Sequence, residues 1–520
     1  MLFSEDCRRY SIRRRTVLAN HFQKKSIKKV RIGLYSIGLQ TYWKQFDGLK
    51  ERLLGYGQFI EQKMSSYGEV HNYGMVDTEE EGRRAGEWFN QKNVDLIFCH
   101  SATYATSTTI LPIHQICKKP VIVLNLQPTD QLQYENTTTG EWLANCGACP
   151  VPEISNAFHR AKIPFRVVNG LLGLEETSAI SMSNEVTCNH SQAKRAWLQI
   201  EEWLQAASVL RTLQHSRFGF LGNTYSGMLD MYSDFTLLQS KFGIHIEILE
   251  MCDLHRLLQT VTENEVARKL EETLEMFTIP DDSPSDPIAR KPTMEQLNWA
   301  CRVAAAEEKL VDEYHLDALS YYYHGSPENT YEKIQSGSIL GHSLLTARGI
   351  PCAGEGDLKT AIAMKICDIL GIGGSFSEIV VVDYVNETIL LGHDGPFHIA
   401  ISDGKPILRG MGLYHGKQGS GISVEAKVKT GPITTLNVTQ THNGDIKMIM
   451  GEGESINGPI MKIGNTQTPI RFRSHPDIYM EKWFKESPTH HCALAIGHHS
   501  SVLQKTSELL GCQYIILDKE

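Results

Sequence analysis

Between Val30 and Asn125, short apolar runs alternate with longer stretches of helix-forming residues. This alternation limits the fold more than any other feature of the chain. Val30-Arg-Ile-Gly-Leu-Tyr35, Val94-Asp-Leu-Ile-Phe-Cys99 and Pro120-Val-Ile-Val-Leu-Asn125 read as strands. The Leu- and Lys-rich stretch through Met64, the segment Glu79 to Gln91 and the segment Leu111 to Cys117 read as the helices between them. Strands separated by helices of about ten residues or more form a doubly wound parallel sheet. Ligands of such a sheet sit where strand carboxyl ends meet loops, here Ser36 to Gln40, His100 to Tyr104 and Leu126 to Asp130.

A long helix from Ser191 to Leu213 closes this region, and the pattern resumes with strands at Arg217 to Leu221 and Ile244 to Leu249. A helix from Met294 to Tyr314 leads to a strand from Leu319 to His324, and Ile279 to Pro287 is an exposed linker. From Ile379 the chain turns β-rich, with short strands and the turns Asp403-Gly404, Asn443-Gly444 and Asn457-Gly458. The expected fold is α/β: two doubly wound parallel-sheet domains, 29–214 and 215–374, then a smaller antiparallel β-rich domain, 375–520. The basic segment 1–28 reads as a disordered extension, since no apolar segment of export-signal length follows its arginines.

The 520 residues exceed a single core and suggest roughly two to four domains. A net charge of -9 argues against a nucleic-acid partner. No apolar stretch approaches the roughly 18 residues of a membrane helix, so no membrane partner is expected. Twelve irregularly spaced cysteines in a chain without a secretion signal point to reduced thiols and a cytoplasmic location. Cys146-Gly-Ala-Cys149 lacks a second metal-ligand pair and reads as two buried structural thiols. Gly416 to Gly421 lacks the Gly-Lys-Ser/Thr ending of a phosphate loop, which excludes a nucleotide site there.

The chemistry concentrates in the last third. Glu355 lies between two glycines at a strand-to-helix turn, where glycine permits unusual backbone and close ligand approach. Asp357 is placed to cap the following helix, with a ligand role as its alternative. Glu378 begins a strand after Gly371-Ile-Gly-Gly-Ser375, and Asp383 competes with it from the opposite strand face. His393 sits in a turn, with His398 a second candidate. In the pair His490-His491 one imidazole can bind metal while its neighbour bonds substrate; His498-His499 reads as a helix-entry surface. Two carboxylates with two imidazoles suit a borderline-hard divalent ion such as Mn²⁺. Paired carboxylates beside such an ion can also transfer protons.

At these residues the chain resembles the L-arabinose isomerase family, within the L-fucose/L-arabinose isomerase fold group. The matching segments are Ala353-Gly-Glu-Gly-Asp-Leu-Lys-Thr-Ala361, Gly374-Ser-Phe-Ser-Glu378, Leu391 to His393 and His490-His491, in the family's order. The resemblance implies Glu355, Glu378, His393 and His491 as ligands of Mn²⁺, or of Co²⁺ or Mg²⁺, with Glu355 and Glu378 also the acid/base pair. It implies three domains in a homo-oligomer, typically a hexamer, acting on a free sugar. Sugar hydroxyls need polar partners, for which Gln40, Tyr225, His324 and His490 are candidates, with Met228 and Tyr322 as an apolar wall. The expected reaction is aldose–ketose isomerisation through a cis-enediol. The alternatives are a non-catalytic sugar-binding or regulatory protein, and an epimerase or hydrolase on the same metal site.

Overall fold

In the computed structural model, residues 27–518 are described, apart from 282–284, 326–328, 412, 415, 416, 419 and 420. The basic segment before Ile27 therefore lies outside the described residues, as does part of the Gly416 to Gly421 loop and of the linker before Pro287. The chain divides into two compact units, residues 28–211 and 212–520.

The first unit is built on five parallel strands: β1 (Val30–Ile37), β2 (Gly68–Val76), β3 (Leu96–His100), β4 (Val121–Gln127) and β5 (Phe165–Leu171). Their order is β2-β1-β3-β4-β5. β1 and β3 are buried almost throughout, as strands covered by helices on both faces must be. Helix Glu79–Lys92 begins at Thr78, whose hydroxyl accepts from the Glu81 amide. It lies against helix Ser107–Ile116 so closely that a Cβ on Gly82 would sit 2.1 Å from the Thr109 carbonyl oxygen. The long helix spans Ser191–Leu213, as its sequence pattern predicts.

The second unit opens with β6 (Arg217–Gly222), β7 (His245–Leu249), β8 (Ala289–Arg290), β9 (Ala318–Tyr322) and β10 (Cys352–Ala353). Four of these form a parallel sheet in the order β10-β9-β6-β7. Reciprocal capping boxes, Thr262 with Glu265 and Thr293 with Gln296, start the helices Glu263–Met276 and Met294–Tyr314, which pack against each other.

The chain then forms β11 (Gly373–Asp383), β12 (Thr388–His393), β13 (Ile407–Met411), β14 (Leu413–Tyr414), β15 (Lys417–Gln418), β16 (Ile422–Glu425), β17 (Gly431–Gln440), β18 (Ile446–Ser455), β19 (Thr466–Phe472), β20 (His491–Ile496) and β21 (Gln513–Ile516). The pairing β17-β20-β11-β12-β19-β18 returns to β17, closing a six-stranded antiparallel barrel. β21 adds to β18 in parallel. The β-rich character expected after Ile379 is thus a closed barrel, which removes free strand edges. One apolar cluster runs from Leu221 through Leu344 and Ile389 to Leu517, spanning parallel sheet and barrel.

Three local expectations change. β11 begins at Gly373, so Glu378 stands mid-strand. Gly373 and Gly374 adopt φ of +94° and +110°, and a Cβ on Gly374 would sit 2.8 Å from that of Cys367, so glycines serve where a strand former would collide. His393 is the last residue of β12 and not part of a turn. The run from 421 to 429 gives only the short β16, which pairs with β13 outside the barrel.

Candidate functional site

The site is made where the loop after β6, the turn after β10, and strands β11, β12 and β20 meet. Glu355 sits in the one-turn helix Gly354–Gly356 at φ 60°, ψ 12°, left-handed backbone for a residue other than glycine. Such conformations cost on the order of 1–3 kcal/mol and concentrate at functional sites. The Tyr225 amide donates to the Glu355 carbonyl over 2.9 Å. Gly356 has φ +75°, and a Cβ there would lie 2.3 Å from the Asn223 carbonyl oxygen, so no other residue lets turn and loop meet.

Asp357 caps helix Leu358–Ile369 as expected, accepting from the Thr360 amide over 3.0 Å. Its second oxygen has another duty, accepting from His491 Nδ1 over 3.1 Å. That bond fixes the tautomer and leaves His491 Nε2, buried and without a hydrogen-bond partner, facing Glu355 Oε2 at 3.6 Å. His393 comes near the same arrangement, with Nδ1 3.0 Å from Asp394 Oδ1 in ion-pair contact but without a hydrogen bond, and Nε2 3.8 Å from Glu355 Oε1. His490 repeats it, with Nδ1 2.6 Å from Asp230 Oδ2 and Nε2 3.8 Å from Glu355 Oε2. Three imidazoles, each with Nδ1 beside an aspartate and two of them hydrogen-bonded to it, thus present Nε2 to one carboxylate. Carboxylate–imidazole pairs of this kind orient metal-binding histidines.

Glu378 pairs across the ladder with His491. Among the described residues two groups could hold a metal ion: Glu355, His393 and His491, and Glu378, His490 and His491, each with donor atoms within 4.8 Å of one another. Phe376, fully buried, lies beneath with its ring centroid 4.6 Å from that of His393 and 4.3 Å from that of His491.

The electrostatics follow the pairing. Burial alone would raise the Glu355 carboxyl, but the neighbouring imidazoles, His490 first, outweigh it and hold it below the usual range. Burial opposes protonation of His490 too, yet the neighbouring carboxylates of Glu355 and Asp230 lift it to about 9. Asp357, despite complete burial, is lowered to about 2 by His491. Burial lowers His491, and the two neighbouring imidazoles add to this.

Beside the cluster is a cavity of about 140 Å³ whose lining includes Tyr225, Tyr322, Glu355, His393 and Asp394. The rings of Tyr225 and Tyr322 stack with centroids 4.6 Å apart. A cavity near 150 Å³ takes a molecule of benzene's size, so this one suits a small molecule and not a nucleotide.

The structure therefore brings Glu355, His393 and His491 into one group and Glu378, His490 and His491 into another, with Tyr225 and Tyr322 on the cavity wall. Met228 is half-buried in the turn after Tyr225 and His324 is exposed beyond β9; neither lines the cavity. Gln40 is exposed in the 28–211 unit. Asp383 accepts the amides of Val385 and Asn386 in the β11–β12 turn, a structural duty. His499 precedes helix Ser500–Leu510, matching its helix-entry reading. Cys146 is buried but Cys149 is exposed, so the pair is not wholly interior. Sequence reasoning missed Asp230, Phe376 and Asp394. Only Asp394, adjacent to His393, carried a local signal.

No family model matches the chain. It is similar to L-arabinose isomerases: that of Aeromonas hydrophila is 19% identical over 348 residues, covering 65% of this chain and 68% of the relative. That of Shewanella baltica is 21% identical over 349 residues, covering 65% and 67%. The enzyme of Shouchella clausii is 21% identical over 354 residues, covering 66% and 69%. The chain is thus a distant relative of L-arabinose isomerases.

Proposed function

We propose that the protein is a divalent-cation-dependent aldose–ketose isomerase acting on a free sugar. One observation carries the reading: three imidazoles, each beside an aspartate, and two glutamates meet beside a cavity of monosaccharide scale. The distant similarity to L-arabinose isomerases supports it.

The residues fit a metal ion. His491 Nε2 and Glu355 Oε2 are buried without hydrogen-bond partners and face each other. Their separation of 3.6 Å is slightly wider than the ~3 Å between adjacent ligands whose metal bonds are near 2.1 Å. Glu355, Glu378, His393 and His491 would hold the ion, Mn²⁺ by donor type, with Co²⁺ or Mg²⁺ as competitors. When bound, the cation would supply Lewis-acid polarisation of the sugar carbonyl.

The remaining chemistry belongs to the side chains. One of Glu355 and Glu378, ionised, takes the C2 proton of the open-chain aldose and the other, protonated, delivers one at C1, while the O2 hydroxyl proton passes to O1, through a cis-enediol. The imidazoles that lower Glu355 keep it ionised and able to accept. The Tyr225–Tyr322 stack offers an apolar face to the sugar carbons. His490, held by Asp230, can donate to a sugar oxygen.

The test is a panel of pentoses, hexoses and deoxyhexoses incubated with Mn²⁺ and assayed for ketose. At least one aldose is converted, and Glu355→Gln or Glu378→Gln lowers turnover by a factor of about 10³ or more, with thermal unfolding retained. Near-normal rates in both variants, or no ketose from any aldose, would remove the isomerase reading.

A further inference from the structure

The cavity has a second polar wall that the acid–base chemistry does not use. Tyr321 comes from β9, Glu332 from helix Thr330–Ser336 and Ser423 from β16, and all three line the cavity. They are 4%, 7% and 1% exposed, so each is more than nine-tenths buried. Ser423 Oγ has no hydrogen-bond partner. Nor is any side-chain hydrogen bond of Tyr321 or Glu332 seen among the described residues. Buried polar groups in folded proteins are paired in some nine cases of ten, so three such groups around one cavity point to a ligand that completes them.

The donor and acceptor inventory gives that ligand's chemistry. A carboxylate accepts only, whereas a phenol and an aliphatic hydroxyl each donate and accept. Hydroxyl groups satisfy all three. Among the described residues the lining also carries the carboxylates Glu332, Glu355 and Asp394, and no lysine or arginine. At this wall a phosphate or carboxylate on the ligand would meet like charge.

We infer that Tyr321, Glu332 and Ser423 form a distal subsite that hydrogen-bonds the hydroxyls at the non-reacting end of an uncharged polyol. The subsite selects which free aldose is held and rejects terminally phosphorylated ones. The inference deepens the isomerase reading and takes its substrate from it, but subsite occupancy can be measured without turnover.

The experiment is calorimetric binding of unreactive alditols to the full chain in the presence of Mn²⁺. The probes are L-arabinitol, ribitol, xylitol and galactitol, with sorbitol 6-phosphate as the charged probe. At least one alditol binds. Tyr321→Phe, Glu332→Gln and Ser423→Ala each remove a hydrogen-bonding function with little change of volume, and each weakens that alditol about five- to tenfold. The loss vanishes for the deoxy-alditol lacking the hydroxyl read by the altered residue. With a convertible aldose, the Tyr321→Phe and Ser423→Ala variants raise KM by the same factor and change kcat less than twofold.

Absence of alditol binding, equal affinity in all three variants, or equally tight binding of sorbitol 6-phosphate would overturn the subsite. Alditol binding with the expected losses, but no ketose from any aldose, would leave the subsite standing and remove the isomerase reading. Turnover with KM unchanged in every variant would do the reverse.

Discussion

Asp357 performs two tasks with two oxygens, which makes it a sharp probe of the site. One oxygen caps helix Leu358–Ile369; the other holds His491 Nδ1. Asp357→Asn keeps an acceptable cap but removes the charge behind the imidazole. Mn²⁺ affinity is expected to fall about 10- to 100-fold with little loss of stability, as read by calorimetry and thermal unfolding. The cap was legible in the sequence, because helix starts are local. The bond to His491 joins residues 134 apart and that between Asp230 and His490 spans 260, so neither left a local trace.

Away from the site, two buried histidines make the 28–211 unit sensitive to acid. His114 Nε2 lies 2.9 Å from the Tyr35 hydroxyl, and His100 Nδ1 lies 2.9 Å from Ser36 Oγ. Burial lowers them to about 3 and about 4. Both folded values lie below the unfolded value of about 6.5, so below that pH the unfolded chain binds more protons. Stability is then full above pH 6.5 and falls toward pH 4 by about 1.4 kcal/mol per pH unit for each histidine. His114→Gln should remove about half of this slope in urea unfolding at pH 7 and pH 5.5; an unchanged slope would contradict the assignment.

Among the elements, the turn after β10 determines where Glu355 stands. Gly356→Ala combines a left-handed φ with a Cβ 2.3 Å from backbone oxygen. The expected cost exceeds about 2 kcal/mol, with activity lost as Glu355 is displaced, measured by thermal unfolding and ketose assay. The glycines flanking Glu355 made this turn readable from sequence. Gly373 and Gly374 were misread, because glycine in a strand reflects a tertiary contact, here of Gly373 with Ile401 and of Gly374 with helix Leu358–Ile369, that periodicity does not report. His393 was placed in a turn for a related reason. Glycines on both sides hid a strand whose last amide is satisfied by Thr466 Oγ1, 73 residues on.

At the scale of the molecule, the parallel sheets were legible because strand and helix periodicities are local and switch cleanly. Barrel closure was not, because it rests on ladders between distant segments: β11 with β20, β12 with β19 and β17 with β18. The five acid and imidazole groups lie wholly within the 212–520 unit. Bound cation should therefore raise that unit's unfolding temperature in a concentration-dependent way, stabilising it by about 2.7 kcal/mol at a hundredfold excess over Kd. The account stands or falls on whether these side chains hold a single cation. Manganese paramagnetic resonance, which separates free from bound Mn²⁺, answers this directly. The account predicts one tight Mn²⁺ per chain, lost in Glu355→Gln and in His491→Ala while both variants remain folded. Equal Mn²⁺ binding by the wild type and both folded variants would contradict it.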